Sequence, residues 1–184
     1  STSTVVHYKK PSSWSDVRCY SYTDDGKNPT GEWNTATVMT SEGDGWYKCT
    51  VPASACYVMF HPTSNTNQEP GQGASGYAAS GEVWINNGAI TFAATVITSH
   101  IDIATGKKIA SDVVSKKTKV TSSDTYTTSA VAGKNVITPL NATGNYSAGV
   151  INVVYLYDSG EVPTTAPTTK NKTAQTLDVA FVIF

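Results

Sequence analysis

Short stretches rich in β-branched and aromatic residues, separated by turn residues, run through the whole chain, and no segment keeps a helical period. Valine, threonine, isoleucine and tyrosine favour strands, whereas glycine, asparagine, aspartate and proline favour turns. The pattern therefore predicts an all-β protein whose first part is a small antiparallel β-sandwich. Strands are predicted at 4–10, 17–22, 45–51, 56–61 and 82–86, and then at 94–103, 108–114, 134–138 and 150–157.

The aromatic residues divide the chain. All four tryptophans and six of the ten tyrosines precede residue 90, and the remainder is rich in Thr, Val and Lys. Such a change in composition predicts a domain of residues 1–90 followed by a β-rich domain of residues 91–160. A Thr/Pro-rich stretch at 161–175 is typical of an extended linker. The apolar residues 176–184 are predicted to form a C-terminal strand that pairs with one of the sheets, because left exposed they would aggregate.

Charge and composition exclude several kinds of partner. The 13 basic and 14 acidic residues nearly cancel, so no nucleic-acid partner is expected. No run of about 18 apolar residues occurs, so no membrane insertion is expected. Only 15% of the residues are charged, and the polar residues are mainly Ser and Thr. This composition is typical of an extracellular β-protein, and we expect a secreted or surface-displayed protein.

Motifs for catalysis and metal binding are not found in the sequence. Acidic residues fall mainly in turns, and no nucleophile, P-loop, zinc or dinucleotide motif is present. Cys19, Cys49 and Cys56 form no C-x-x-C pair, and the three histidines stand far apart. The cysteines are predicted to be reduced packing residues, with a single bridge as the alternative. We therefore expect that the protein is not an enzyme and that it binds no metal and no cofactor.

Three aromatic residues of the first domain suggest a binding surface. Tyr20 and Tyr22 flank Ser21, so on a strand both rings leave the same face roughly 6.5–7 Å apart. Strand twist rotates the two rings relative to each other, which suits a curved ligand. Trp33 lies in a loop, where packing does not obviously require it, and exposed tryptophans often mark binding sites. The alternative is that Tyr20 and Tyr22 line the core.

The order of motifs in residues 4 to 90 resembles carbohydrate-binding module family 26, a family of starch-binding β-sandwiches. The motifs are W-x-x-V-x-x-Y-x-Y from Trp14 to Tyr22, G-E-W ending at Trp33, V-M at 38–39 and D-G-W-Y at 44–47. The resemblance implies that Tyr20, Tyr22 and Trp33 form a platform for α-1,4-glucan. The family usually has W-P-G where this chain has Trp-Asn-Thr.

The same resemblance implies further roles. Gln68 lies where a glutamine of the family often hydrogen-bonds sugar hydroxyls, although the loop from residue 62 to 81 is longer than usual. Trp14, Trp46 and Phe60 are implied to be core residues.

The second domain resembles MucBP-type repeats, which are small β-rich, β-grasp-like modules of bacterial surface proteins. The matching segments are 101–110, 124–128, 141–146 and 153–157. The resemblance implies either a spacer or a ligand-binding role.

These inferences lead to one expected function and one alternative. We expect non-catalytic binding of starch, amylopectin and malto-oligosaccharides, serving adhesion to starch in a bacterial extracellular protein that carries other modules. The alternative is a cell-surface adhesin that binds mucin or host glycans through the second domain.

Overall fold

The computed structural model describes residues 2–158, which fold into two compact units. Within the described residues, the first unit comprises residues 2–93 and 118–121, and the second comprises residues 94–117 and 122–158. The predicted linker at 161–175 and the predicted C-terminal strand at 176–184 lie outside the described residues.

Strands supply nearly all of the regular structure of the first unit. The five strands predicted here are confirmed, and a single turn of 3-10 helix occupies Trp33–Thr35. Three further strands were missed because they are only two to four residues long. The strands are β1 (Thr4–Lys9), β2 (Arg18–Tyr22), β3 (Thr37–Val38), β4 (Thr40–Gly43), β5 (Trp46–Val51), β6 (Ala55–His61), β7 (Tyr77–Ser80) and β8 (Glu82–Asn86), followed by residues 89–92 of β9 (Ala89–Asp102).

Two sheets of this unit enclose a shared core. The smaller sheet has the order β3-β2-β6-β7, and the larger has the order β4-β5-β1-β8, with the start of β9 beside β8. The all-β prediction is confirmed, but the expectation of purely antiparallel sheets is wrong, because β1 and β8 pair in parallel. Strands of the smaller sheet lie between β1 and β8 in sequence, so β8 returns by a crossover rather than by a hairpin.

Alternating residues of both sheets fill this core. Val6 and Tyr8 of β1 face Val58 and Phe60 of β6, and all four are fully buried. Trp14 is only 7% exposed and joins them. The core positions implied for Trp14 and Phe60 are therefore confirmed.

Trp46 is not a core residue, contrary to what the resemblance implied. On β5 the inward positions belong to Cys49 and Val51, so the two-residue period turns Trp46 to the outer face. There it pairs with Lys9 in register, and the Lys9 and Lys119 ammonium groups lie 5.8 and 5.0 Å from the ring centroid. On this outer face, the two lysine side chains pack over the Trp46 ring with their alkyl stems and ammonium groups.

The cysteines are free and buried, which confirms the prediction of reduced packing residues. Cys19 and Cys49 are hydrogen-bonded to each other, and Cys56 lies nearby. Burial raises the pKa of the Cys56 thiol to about 11. Because all three thiols are buried, they act as small apolar side chains.

The second unit is also built from strands. Residues 94–102 of β9 pair in parallel with β14 and also pair with β10, while β12 pairs with the other edge of β14 and β11 pairs with β13. Between residues 2 and 158 no helix is long and apolar enough to cross a membrane. The remaining strands are β10 (Lys108–Val120), β11 (Thr125–Thr127), β12 (Asn135–Ile137), β13 (Thr143–Asn145) and β14 (Gly149–Asp158).

Candidate functional site

The outward face of β2 carries two of the predicted site residues. Cys19 and Ser21 are fully buried and point inward, so Tyr20 and Tyr22 leave the opposite face and are half-buried. Their ring centroids lie 6.3 Å apart with an interplanar angle of 40°. The alternative that these tyrosines line the core is wrong, because the alternation of β2 assigns the core to their neighbours.

Trp33 joins the two tyrosines from the loop before β3. Its ring centroid lies 5.2 Å from that of Tyr20, at an interplanar angle of 61°. The indole Nε1 donates a 2.8 Å hydrogen bond to the Asn65 Oδ1. The structure therefore brings together the three rings that the sequence singled out, with their planes set at large angles to one another.

His61 supports the Trp33 ring from behind, a role that sequence reasoning missed. The two rings stack with centroids 4.2 Å apart and an interplanar angle of 16°, and His61 is 1% exposed. Its ring nitrogens each lie 2.9 Å from a backbone carbonyl oxygen, one of Trp33 and one of Pro62. One face of the indole is thus occupied by a fixed imidazole, which leaves the other face for a ligand.

Tyr57 continues the line of rings on the neighbouring strand β6. It lies directly opposite Tyr22 in the β2–β6 register, and the two rings stack with centroids 5.0 Å apart and an interplanar angle of 18°. We call Trp33, Tyr20, Tyr22 and Tyr57 the aromatic row. The alternation along β6 places Tyr57 and His61 on the same face of that strand. That they lie beside Tyr20 and Tyr22 depends on how β6 pairs with β2, which is far away in sequence.

Polar neighbours hold the rings of the row in place. The Asn28 side-chain amide donates to the Tyr20 hydroxyl, and the Gly76 backbone N–H donates to the Tyr22 hydroxyl, both at 2.8 Å. A Cβ atom at Gly76 would lie 3.0 Å from the Val58 carbonyl oxygen and 3.1 Å from the Tyr22 ring. Only glycine lets the backbone approach Tyr22 this closely.

Gln68 lies on the loop of residues 62–76, which also supplies Asn65. Its Nε2 donates a 3.1 Å hydrogen bond to the Pro70 carbonyl oxygen. Together with Asn65, Gln68 lines a polar cleft of about 310 Å³. Since Asn65 bonds Trp33, this loop reaches the aromatic row. The ligand-binding role of Gln68 stays a prediction.

Glu69 attaches the same loop to the body of the sandwich. Its backbone N–H donates to the Phe60 carbonyl oxygen at 2.8 Å, and the Phe60 N–H donates back at 2.7 Å. The Glu69 carboxylate accepts hydrogen bonds from the hydroxyls of Tyr8 and Tyr77, the latter at 3.1 Å. Burial, followed by these bonds, raises the pKa of Tyr77 to about 12 and that of Tyr8 well above its usual value. Both hydroxyls therefore remain donors at neutral pH.

Asp16 attaches the start of the loop. One carboxylate oxygen accepts from the Thr63 N–H at 2.9 Å and the other accepts from the Thr63 hydroxyl at 2.6 Å. These hydrogen bonds lower the pKa of Asp16 below its ordinary value. The loop is thus fixed on both sides of Asn65, at Thr63 by the Asp16 carboxylate and at Glu69 by that residue's own carboxylate.

The chemistry of this surface is that of recognition. It offers aromatic faces bordered by hydroxyl and amide groups, which can stack on an apolar sugar or aromatic face and hydrogen-bond at its edge. In the part of the chain from residue 2 to 158, no group of three or more His, Cys, Asp or Glu side chains is placed to hold a metal ion.

The fold and the site therefore place the first unit among β-sandwich modules that carry a row of aromatic rings on an outward face. The family model of starch-binding module 26 matches residues 6–74, which confirms the family 26 resemblance over that segment. The match includes Tyr20, Tyr22, Trp33 and Gln68.

Solved structures of similar modules are also found. The family 26 module from a Bacillus halodurans amylase in complex with maltose is 27% identical, covering 46% of this chain and 91% of that chain with a TM-score of 0.42. The family 26 module of Eubacterium rectale Amy13K in complex with maltoheptaose is 19% identical, covering 53% of this chain and 52% of that chain with a TM-score of 0.38. No curated protein matches the chain.

Proposed function

We propose that the first unit binds α-1,4-linked glucan, in the form of malto-oligosaccharides and starch, without catalysis. Glucose faces stack on Trp33, Tyr20 and Tyr22, and hydrogen bonds from the neighbouring loop, including one from Gln68, fix the orientation of the sugar. The single observation that carries this proposal is that a starch-binding family model matches residues 6–74, while the three rings of the predicted platform meet on one outward face.

The geometry of the rings supports a curved ligand over a flat one. Interplanar angles of 40° between Tyr20 and Tyr22 and 61° between Tyr20 and Trp33 give no common plane on which a straight, ribbon-like glucan could lie. An α-1,4-linked chain turns from one residue to the next, so successive sugar faces can meet rings that are inclined to one another.

Preformed support of the rings favours binding without large rearrangement. The stacking of Trp33 on His61 and the hydrogen bond from its indole to Asn65 hold the side chain before a ligand arrives. This preorganisation lowers the entropy cost of association. Because few rings are involved and little area is buried, we expect dissociation constants of about 1 μM to 1 mM per site.

Isothermal titration with maltoheptaose, with cellohexaose as control, tests the proposal. Both ligands are glucose polymers that differ in linkage, so heat with maltoheptaose alone supports the inclined platform. Trp33→Ala and Tyr22→Ala are each expected to weaken maltoheptaose binding about tenfold or more, since they remove central aromatic contacts. Trp46→Ala removes a half-buried tryptophan from the outer face of the other sheet and serves as the matched control.

A decisive negative result is unchanged binding in Trp33→Ala and Tyr22→Ala with an intact fold, as judged by circular dichroism. Incubation with soluble starch is expected to release no reducing ends. Such release in proportion to protein concentration would contradict the non-catalytic assignment.

A second candidate function concerns the second unit, proposed here as a MucBP-like, β-grasp-like repeat. A cleft of about 410 Å³ between β9, β10 and β11 supports ligand binding there rather than a spacer role. Threonine and serine hydroxyls line it beside Tyr126 and Tyr146. A parallel titration with purified mucin separates the candidates: heat with mucin and none with maltoheptaose would assign recognition to this unit.

The proposed biological setting is adhesion to starch, amylopectin included, by a secreted or surface-displayed bacterial protein. Single sites of modest affinity retain a protein on a granule only when several act together, so other modules are proposed in the parent protein. Comparison of granule retention for the single chain and for a tandem fusion of two copies tests this.

A further inference from the structure

The aromatic row does not end at the three rings of the predicted platform. Tyr57 lies at its far end, cross-strand from Tyr22, while Trp33 lies at the opposite end above His61. The row follows the β2–β6 ladder from the pair Arg18 and His61 to the pair Tyr22 and Tyr57. Its consecutive ring centroids are separated by 5.2, 6.3 and 5.0 Å.

Beyond Tyr57 a small cleft opens over the edge strand β7. It has a volume of about 220 Å³ and is lined by Tyr57 together with Asp24, Ala55, Ala78 and Ser80, among others. Ala78 lies directly opposite Tyr57, and Ser80 lies opposite Ala55, so the small side chains share the face of the tyrosine. The cleft exists because no large side chain follows Tyr57 on this side of the sheet.

The ring and the cleft offer complementary contacts. One face of Tyr57 packs against Tyr22, so the contact left for a ligand is on the side that lines the cleft. Interaction with the exposed Asp24 carboxylate, which lines the same cleft, raises the pKa of Tyr57. A carboxylate has acceptor capacity beyond one bond, so Asp24 can also accept from a sugar hydroxyl.

We propose that Tyr57, Asp24 and the cleft beside Ala78 form an additional glucosyl subsite that extends the platform along the sheet. The inference rests on the proposed function of the same surface. It predicts that affinity depends on chain length: a short oligosaccharide is held by Trp33, Tyr20 and Tyr22, and a longer chain also reaches the cleft.

Titration of the full chain with maltotriose and maltoheptaose tests the subsite. Ala78→Leu fills the cleft without removing any ring of the row, because Ala78 is exposed and lies across from Tyr57. We expect its maltoheptaose affinity to fall about fivefold or more, while its maltotriose affinity stays at the wild-type value. Ser80→Leu, on the same face of β7, is the second variant. Thr50→Leu, an exposed strand position on the other sheet, is the matched control.

Tyr57→Ala tests whether Tyr57 contacts the sugar or only supports the Tyr22 ring. If Tyr57 is part of a subsite, the substitution should weaken maltoheptaose binding more than maltotriose binding. Equal weakening of both would show that Tyr57 only supports Tyr22 and would overturn the inference. Wild-type maltoheptaose affinity in folded Ala78→Leu and Ser80→Leu would also overturn it while leaving the proposed function standing. Absence of binding by the wild-type chain to both ligands would refute the proposed function, and the subsite with it.

Discussion

Replacing Tyr8 by phenylalanine isolates the hydrogen bond that joins the Glu69 carboxylate to the core. Tyr8 is fully buried and its ring stacks on Phe60 with centroids 3.7 Å apart, a contact that phenylalanine keeps. The substitution therefore removes only the hydroxyl and its bond to Glu69. A hydrogen bond to a charged group contributes about 1.5–3 kcal/mol. Since Glu69 is half-buried and water can partly replace the donor, we expect Tyr8→Phe to destabilise the first unit by about 2 kcal/mol.

Two comparisons calibrate this value. Tyr77 is half-buried and its hydroxyl lies 3.1 Å from the second Glu69 oxygen, so Tyr77→Phe is expected to cost about 0.5–1 kcal/mol. Tyr47→Phe is the matched control, because the Tyr47 hydroxyl has no hydrogen bond within residues 2–158 and its ring keeps the contact with Lys10. That substitution is expected to leave stability nearly unchanged.

Urea unfolding followed by tryptophan fluorescence is the assay, since all four tryptophans lie in the first unit. A loss of about 2 kcal/mol should lower the urea midpoint by about 1 M at an unchanged slope. If Tyr8→Phe moved the midpoint no more than Tyr47→Phe does, the hydroxyl–carboxylate bond would contribute nothing, and the account of how the 62–76 loop is anchored would be wrong.

Two further predictions concern the same surface. Because hydrogen bonds from Thr63 lower the pKa of Asp16, the stabilisation they give is present above pH 3.8 and is lost as the pH falls through the lowered value. The protection factor of the Thr63 amide, which is the intrinsic exchange rate divided by the observed rate at the same pH, should therefore fall below pH 3.8. Asp16→Asn should abolish this pH dependence. Gly76→Ala places a methyl group against the Val58 carbonyl oxygen and the Tyr22 ring. We therefore expect the free energy of unfolding in urea to fall by about 1–3 kcal/mol and maltoheptaose binding to weaken. Gly71→Ala is the control and should keep wild-type affinity, because a Cβ atom there meets no atom within 4 Å. Equal effects of the two glycine substitutions would contradict the close approach at Gly76.

The local pattern of the chain was enough to predict the strands and the direction of side chains within a strand. The two-residue period that places Tyr20 and Tyr22 on one face acts over three residues, so it could be read without knowing any partner strand. The same period, applied to β5, contains the information that Trp46 points away from Cys49 and Val51. The resemblance to a family overrode that signal and led to the wrong prediction of a core residue.

Tertiary structure alone decided which rings form one surface. Trp33 reaches Tyr20 because a loop turns back over β6 and stacks the indole on His61, which is 28 residues away in sequence. Tyr57 lies beside Tyr22 because β6 pairs with β2 in that register. In the larger sheet, β8 pairs in parallel with β1 although all strands of the smaller sheet lie between them in sequence. Such pairings depend on long-range packing and on the closure of long loops, neither of which leaves a periodic trace in the sequence. The sequence by itself therefore determined the strands and their faces, and the tertiary contacts determined the shape of the surface that those faces build.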